Sequence, residues 1–188
     1  MIGNDIVDLN FAETESNWQR LGFLEKQFSL KEQKIILNSE NSFLQVWLFW
    51  TMKEAAYKCH TQKHHKRFFA PQKFECSFTS ENEGIVVFED DKFYTTTFLD
   101  PFYVYTIAKD TPKETIFFSS IGSPKRIDKD LKRKLQEETA ISSKEITQRK
   151  SAIGAPLYYH KEKLLTNSCT ISHHGNYGAF AFTLQNES

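Results

Sequence analysis

Glycine is scarce in this chain, seven of 188 residues, cysteine scarcer at three, and charge of either sign is in no excess, 24 Lys and Arg facing 24 Asp and Glu. So few glycines among about a quarter charged residues exclude a collagen-like repeat and a low-complexity, disordered chain. Cys59, Cys76 and Cys169 are odd in number and have no CxxC spacing, so they build neither a disulfide framework nor a thiolate zinc site and are expected to be reduced and packed. With no net charge there is no global field to draw the molecule to nucleic acid or membrane, and any site for a polyanion has to come from local clustering. No run of apolar residues is long enough to span a bilayer, and the first residues lack the basic and apolar regions of a secretory signal. The expectation is a cytoplasmic protein with neither nucleic acid nor membrane as partner.

Aromatic residues are what the chain has in abundance: 17 Phe, seven Tyr and three Trp predict an interior rich in rings. The length suits one domain, or two small lobes sharing a core. Residues 2–9 alternate in the period of a half-buried strand. Asp5 and Asp8 are an odd number apart, so they share a face only if the strand bends or ends; Asp8 at a strand end suits capping or a turn equally well. Residues 12–28 carry Trp18, Leu21, Leu24 and Phe28 at helical spacing. Ser29 and Glu32 form a capping box before a second helix through Leu37, and Asn41 or Ser42 caps a long helix from Phe43 to about His60, buried by its aromatics with Lys53 and Lys58 emerging. Residues 61–67 are basic. Four β-rich runs follow at 73–78, 84–88, 93–98 and 102–107, the pattern of an antiparallel meander. Beyond a junction at 110–113, residues 128–138 predict a helix with a basic face, and 168–182 read as strand, turn, strand.

On the long helix, Trp50, Glu54 and Lys58 stand at i, i+4 and i+8, with Cβ atoms roughly 6 Å apart. A carboxylate and an ammonium so arranged can hold a divalent cation and a phosphate, because Mg²⁺ favours a few carboxylate oxygens together with substrate phosphate oxygens. The spacing by itself suits an ordinary Glu–Lys surface pair as well.

Three segments together carry more. Gly3-Asn4-Asp5-Ile6-Val7-Asp8-Leu9, Trp50-Thr51-Met52-Lys53-Glu54-Ala55-Ala56-Tyr57-Lys58, and Gly154-Ala155-Pro156-Leu157 leading to Ser172-His173-His174 stand in one chain. They resemble the 4′-phosphopantetheinyl transferase superfamily, whose members share a G-(I/V)-D strand, a W-(T/S)-x-K-E-(A/S)-x-x-K helix and a G-K-P segment followed by Ser-His. The resemblance implies an α+β fold, antiparallel sheets packed with a long helix, in a single domain 1–188 with lobes 1–110 and 111–188. It implies transfer of the 4′-phosphopantetheine arm of coenzyme A to a serine of an acyl or peptidyl carrier protein, with Mg²⁺. Asp5 and Glu54 would bind the metal, with Asp8 as a further ligand. Lys58 would contact the α-phosphate or assist proton transfer, and Glu54 would reach the serine proton through a water. Trp50 would brace the pocket, and Ser172 and His173 would clamp the coenzyme's phosphates.

The departures matter too. Val7 stands where larger members carry a second acid, which comes one residue later as Asp8, as in the small holo-acyl-carrier-protein synthases. Ala155 replaces the lysine of G-K-P, for which Arg149 and Lys150 are the nearest substitutes in sequence. Ser-His lies at the C-terminal end, as in the small trimeric synthases, yet the chain is longer than those. A circularly permuted, monomeric pseudo-dimer and a homotrimer both follow. The basic stretches 63–67 and 129–134 are candidate docking faces for an acidic carrier. Val7 and Ala155 also keep open a non-catalytic relative that binds coenzyme A or a carrier protein.

Overall fold

Strand β1 (Ile2–Asp8) is buried along its whole length, not only on one face as its alternation predicts. The cause is that three neighbours close on it in the computed structural model, which describes residues 1–68, 70–113 and 115–185. One edge of β1 pairs antiparallel with β5 (Tyr103–Lys109), Asp5 standing opposite Thr106. With β2 (Glu75–Phe78), β3 (Glu83–Phe88) and β4 (Asp91–Leu99) they make a five-stranded sheet, ordered β1-β5-β4-β3-β2, that contains the expected meander. Its face is covered by the long helix, and at Gly3 the two backbones nearly touch: a Cβ there would run into the Ala55 carbonyl and lie 2.6 Å from the Cys59 nitrogen. Only glycine allows that approach, and the approach sets Asp5 beside the helix.

The expected helix over 12–28 is two short ones, α1 (Leu9–Glu15) and α2 (Phe23–Gln27). Asp8 caps α1 earlier than the apolar spacing suggests, Ser16 ends it in an extended conformation, and Gly22, at φ 78°, starts α2. The capping box is present: Ser29 Oγ accepts from Glu32 N and Glu32 Oε2 from Ser29 N at the head of α3 (Leu30–Asn38). Asn41 caps α4 (Ser42–His64), which runs four residues beyond the expected end.

Lys53 does not emerge. Its side chain and that of Glu32 are each 1 % exposed and form an ion pair of 2.8 Å. Lys53 also donates to the carbonyls of Pro71 and Phe74, while Glu32 accepts from Cys76 N at 2.7 Å, so the buried charges are fully hydrogen-bonded. This network fixes the rotation of α4 about its axis and turns the next residue, Glu54, the other way.

In the second half, β6 (Phe118–Gly122), β10 (Thr166–His174) and β11 (Tyr177–Leu184) form a sheet ordered β10-β11-β6. Helix α5 (Ile127–Thr139) buries Ile127, Leu131 and Leu135 against it, with Tyr158, Phe180 and Phe182 in the same core. A small sheet of β7 (Ile146–Lys150), β8 (Pro156–His160) and β9 (Lys163–Leu164) was not legible in the sequence, because β7 is almost entirely exposed and polar. The last three residues of the expected second lobe lie outside the described residues.

The halves meet where β10 runs alongside the free edge of β1, joined by side chains. Ile2 N donates to Ser168 Oγ (3.0 Å), Asn4 N to Thr170 Oγ1 (3.4 Å) and Asp8 N to His174 Nδ1 (3.1 Å), each 166 residues apart, so the two strands run parallel in fixed register. Thr170 Oγ1 donates back to Asn4 Oδ1, and Gln62 of α4 bridges both strands, donating to Ile2 O and accepting from Ser168 Oγ and Cys169 N. The rung between, at Ile6, has no such bond, and Ser172 Oγ is buried without a partner among the described residues.

Candidate active site

Because β1 lies against α4, Lys58 Nζ reaches the Asn4 carbonyl at 2.9 Å and Asp5 Oδ1 at 2.8 Å. One turn earlier, Glu54 faces the same side. Its carboxyl is lifted from the usual range to about 7, first by burial and next by the charge of Asp5, with Lys58 offsetting part of the rise. Asp5, Glu54, Trp50 and His173 all line one cavity of about 420 Å³, whose floor is aromatic. Trp47, Trp50 and Phe23 pack on one another there, and Trp18 closes the side left open by the break between α1 and α2.

Lys58 lines a second cavity, of about 350 Å³, on its other side. Its walls are Gly154, Ala155 and Pro156, Thr170 and Ile171 of β10, and Arg67. The Asp5–Lys58 pair thus stands between the two cavities, a carboxylate toward one and the ammonium at the edge of the other.

Not every expected residue joins them. Asp8 is spent elsewhere: one oxygen caps α1 at Phe11 N (3.0 Å) and the other accepts from Asn176 N and Nδ2 (2.9 and 3.1 Å). Burial would raise its pKa, but those hydrogen bonds and His174 hold it below the ordinary value. Asp8 lines neither cavity and so stands apart from Asp5 and Glu54. Ser172 faces the seam with β1, opposite to exposed His173, and lines neither cavity. Arg149 forms a two-pronged pair with Glu162 (3.1 and 3.0 Å), so it does not stand in for the lysine lost at Ala155. Arg67 does reach that place, its guanidinium lying against Gly154. The sequence by itself places Arg67 only in a basic rim, since nothing local signals that the chain after α4 folds back over residues 153–156.

The candidate docking faces are also changed. Lys63 and His64 turn onto Asp91, and on α5 Lys132, Arg133 and Lys134 are paired with acids of their own helix.

An α+β protein with a pair of acids and a lysine set between two cavities is furnished for phosphate chemistry. The family model of the 4′-phosphopantetheinyl transferase superfamily matches residues 1–110, and the chain belongs to that superfamily. Phosphopantetheinyl transfer is the chemistry of that superfamily. The match includes Asp5, Glu54 and Lys58 and ends before β6, so Gly154–Pro156 and Ser172–His173 lie outside it. Among solved structures the chain is similar to the crystal structure of a holo-[acyl-carrier-protein] synthase from Thermotoga maritima, with 11% identity, 85% of this chain and 82% of that chain covered, and a TM-score of 0.44. No curated protein matches. No helix of the described residues is long and apolar enough to cross a membrane.

Proposed function

We propose that this protein transfers the 4′-phosphopantetheine arm of coenzyme A to a serine of an acyl or peptidyl carrier protein, as a holo-acyl-carrier-protein synthase does, with Mg²⁺. The observation that carries this reading is the Asp5–Lys58 pair, set between the cavity of Glu54 and the cavity of Ala155.

The donor set suits a hard divalent cation. Burial and the charge of Asp5 raise the cost of ionising Glu54 at the rim of one cavity, and a cation held by both carboxylates would relieve it. When bound, Mg²⁺ would neutralise phosphate oxygens as charge gathers on the leaving group. The chain's own residues do the rest. Coenzyme A lies with its nucleotide end in the second cavity, where Arg67 and Lys58 meet phosphate, Arg67 taking over from the lysine absent at 155. His173 holds phosphate from the β10 side, and Trp50 walls the arm. The carrier's serine enters the aromatic cavity, its oxygen bonds to the phosphorus that bears the arm, and the bridging P–O bond breaks. Adenosine 3′,5′-bisphosphate departs with the bonding pair, and the serine proton passes through a water to Glu54, which acts as general base.

Within one chain, His173 reaches the cavity of Asp5 and Glu54, which favours a monomeric pseudo-dimer of lobes 1–110 and 111–188 over a homotrimer. Sedimentation at micromolar protein tests this, and a trimer overturns it. The use of coenzyme A and a carrier protein suits a cytoplasmic setting.

The function is tested by intact-mass spectrometry of apo carrier proteins incubated with the protein, coenzyme A and Mg²⁺, with and without chelator. A gain of one phosphopantetheine on a carrier, lost with chelator, is the expected result. No gain on any of a broad panel, from folded protein that still binds coenzyme A, would overturn the reading and support a non-catalytic relative.

A further inference from the structure

At the far end of α4, away from both cavities, His60 and His64 stand one turn apart and close on a single carboxylate from the start of β4. His60 Nδ1 lies 3.0 Å and His64 Nε2 2.6 Å from the same oxygen, Asp91 Oδ2, and the three ligand atoms all fall within 4.8 Å of one another. We propose that His60, His64 and Asp91 form a binding site for a divalent transition-metal ion, Zn²⁺ being the ion its chemistry suits best.

Two imidazoles and one carboxylate oxygen are the ligand types of a three-protein-ligand zinc site with one position left for water. Zinc–ligand bonds of about 2.0–2.1 Å in a tetrahedron put ligand atoms roughly 3.3 Å apart, so the His60 and His64 nitrogens, now 3.0 and 2.6 Å from Asp91 Oδ2, have to draw back from it by about 0.3 and about 0.7 Å. Both histidines point a ring nitrogen at Asp91; on binding, each would present that nitrogen's lone pair to the ion and carry its single proton on the other ring nitrogen.

The surroundings hold the ligands ready. His60 is buried, with Phe68, Phe74, Phe88 and Phe93 packed around its ring at centroid distances of 5.0 to 6.0 Å, which fix its orientation. Asp91 is held in place through its other oxygen, which accepts from Lys63 Nζ at 2.6 Å and leaves Oδ2 to the metal. A cavity of about 400 Å³ opens beside the cluster and gives a path for the ion and its water. The bound ion would clasp the end of α4 to the β3–β4 hairpin.

The test is titration of chelator-stripped, full-length protein with Zn²⁺ alone by calorimetry, with Co²⁺ as a spectroscopic probe of tetrahedral coordination. The expected result is one ion per chain, with the Co²⁺ visible bands of a tetrahedral site. His64→Ala, at an exposed residue whose loss the fold tolerates, and Asp91→Asn should each weaken Zn²⁺ binding by at least roughly 100-fold. Asp5→Asn should leave it unchanged, which separates this site from the proposed Mg²⁺ site and makes the two readings fail independently. Absence of binding by the unaltered protein overturns the proposal. So does equal affinity in all three variants, and so does loss of binding in Asp5→Asn alone.

Discussion

The two halves of this molecule each lay a helix against an antiparallel sheet, but they treat charge on that helix in opposite ways. Helix α4 is enclosed by β1, the rest of the sheet and α3, so Lys53 is buried with Glu32, and Glu54 is desolvated enough to hold its proton up to about 7. Helix α5 buries only the stripe Ile127, Leu131 and Leu135, and its acids and bases pair along the wet face at i+3 and i+4. Surface pairs of that kind contribute little, up to about 1 kcal/mol. Chemistry near neutral pH needs perturbed groups, and perturbation needs enclosure. The first half therefore supplies the acids of the proposed site, and the second supplies a wall, Thr170, Ile171 and His173, that closes the cavities.

That contrast breaks most sharply at Glu54. Replacing it with Gln should lower transfer by roughly 10³-fold with the fold retained, read as carrier mass gain per unit time; near-normal turnover would move the site elsewhere. Almost as large an effect on stability is expected from Lys53→Met. It leaves Glu32 buried without its partner and should cost about 3–5 kcal/mol in urea unfolding, whereas Lys132→Met on α5 should change stability by less than about 1 kcal/mol. Similar losses at the two lysines would dissolve the comparison.

The enclosure of Glu54 also predicts a pH dependence. Its proton is bound more tightly in the folded than in the unfolded chain, so its contribution to stability is complete below about pH 4.5 and is lost as pH rises through about 7. In metal-free protein, Glu54→Gln should remove that decline and leave the variant more stable at pH 8 by roughly 3 kcal/mol. Parallel stability profiles for the two proteins from pH 5 to pH 8 would refute it. On the second half, His173→Ala should raise the KM for coenzyme A by about 10-fold, a change of about 1.4 kcal/mol, with kcat little altered; an unchanged KM removes His173 from phosphate binding. The smallest effects lie at the seam. Thr170→Val should cost about 1 kcal/mol, because it removes a hydroxyl that Asn4 both donates to and accepts from, while Ser172→Ala, which removes an unpartnered hydroxyl, should lie within about 0.5 kcal/mol of the parent. Equal costs at the two positions would show that Ser172 has a partner in solution.

What the sequence made legible was local or carried by motif. The capping box at Ser29, the cap at Asn41, the length of α4 and the meander follow from neighbouring residues and came within a few residues of the structure. The three segments of the motif drew attention to Asp5, Glu54 and Lys58, which the fold places around one ion pair. What was not legible depends on distant partners. Nothing near Lys53 announces Glu32, nothing near Asp8 announces Asn176, and nothing near Arg67 announces Gly154. The alternation in β10 gives no sign that its hydroxyls serve the edge of β1, and a cysteine count is blind to a site made from two histidines and an aspartate.

The seam between β1 and β10 has a consequence in time. During synthesis the first strand leaves the ribosome well before the strand that will lie along its edge, since the bonds between them span 166 residues. The five-stranded sheet and α4 can form meanwhile, yet the amides of Ile2, Asn4 and Asp8 stay open until β10 has emerged. An unpaired strand edge is a template for pairing with another chain. A nascent chain stalled before residue 168 is therefore the aggregation-prone form of this protein, and its rescue lies in the last strands to be made.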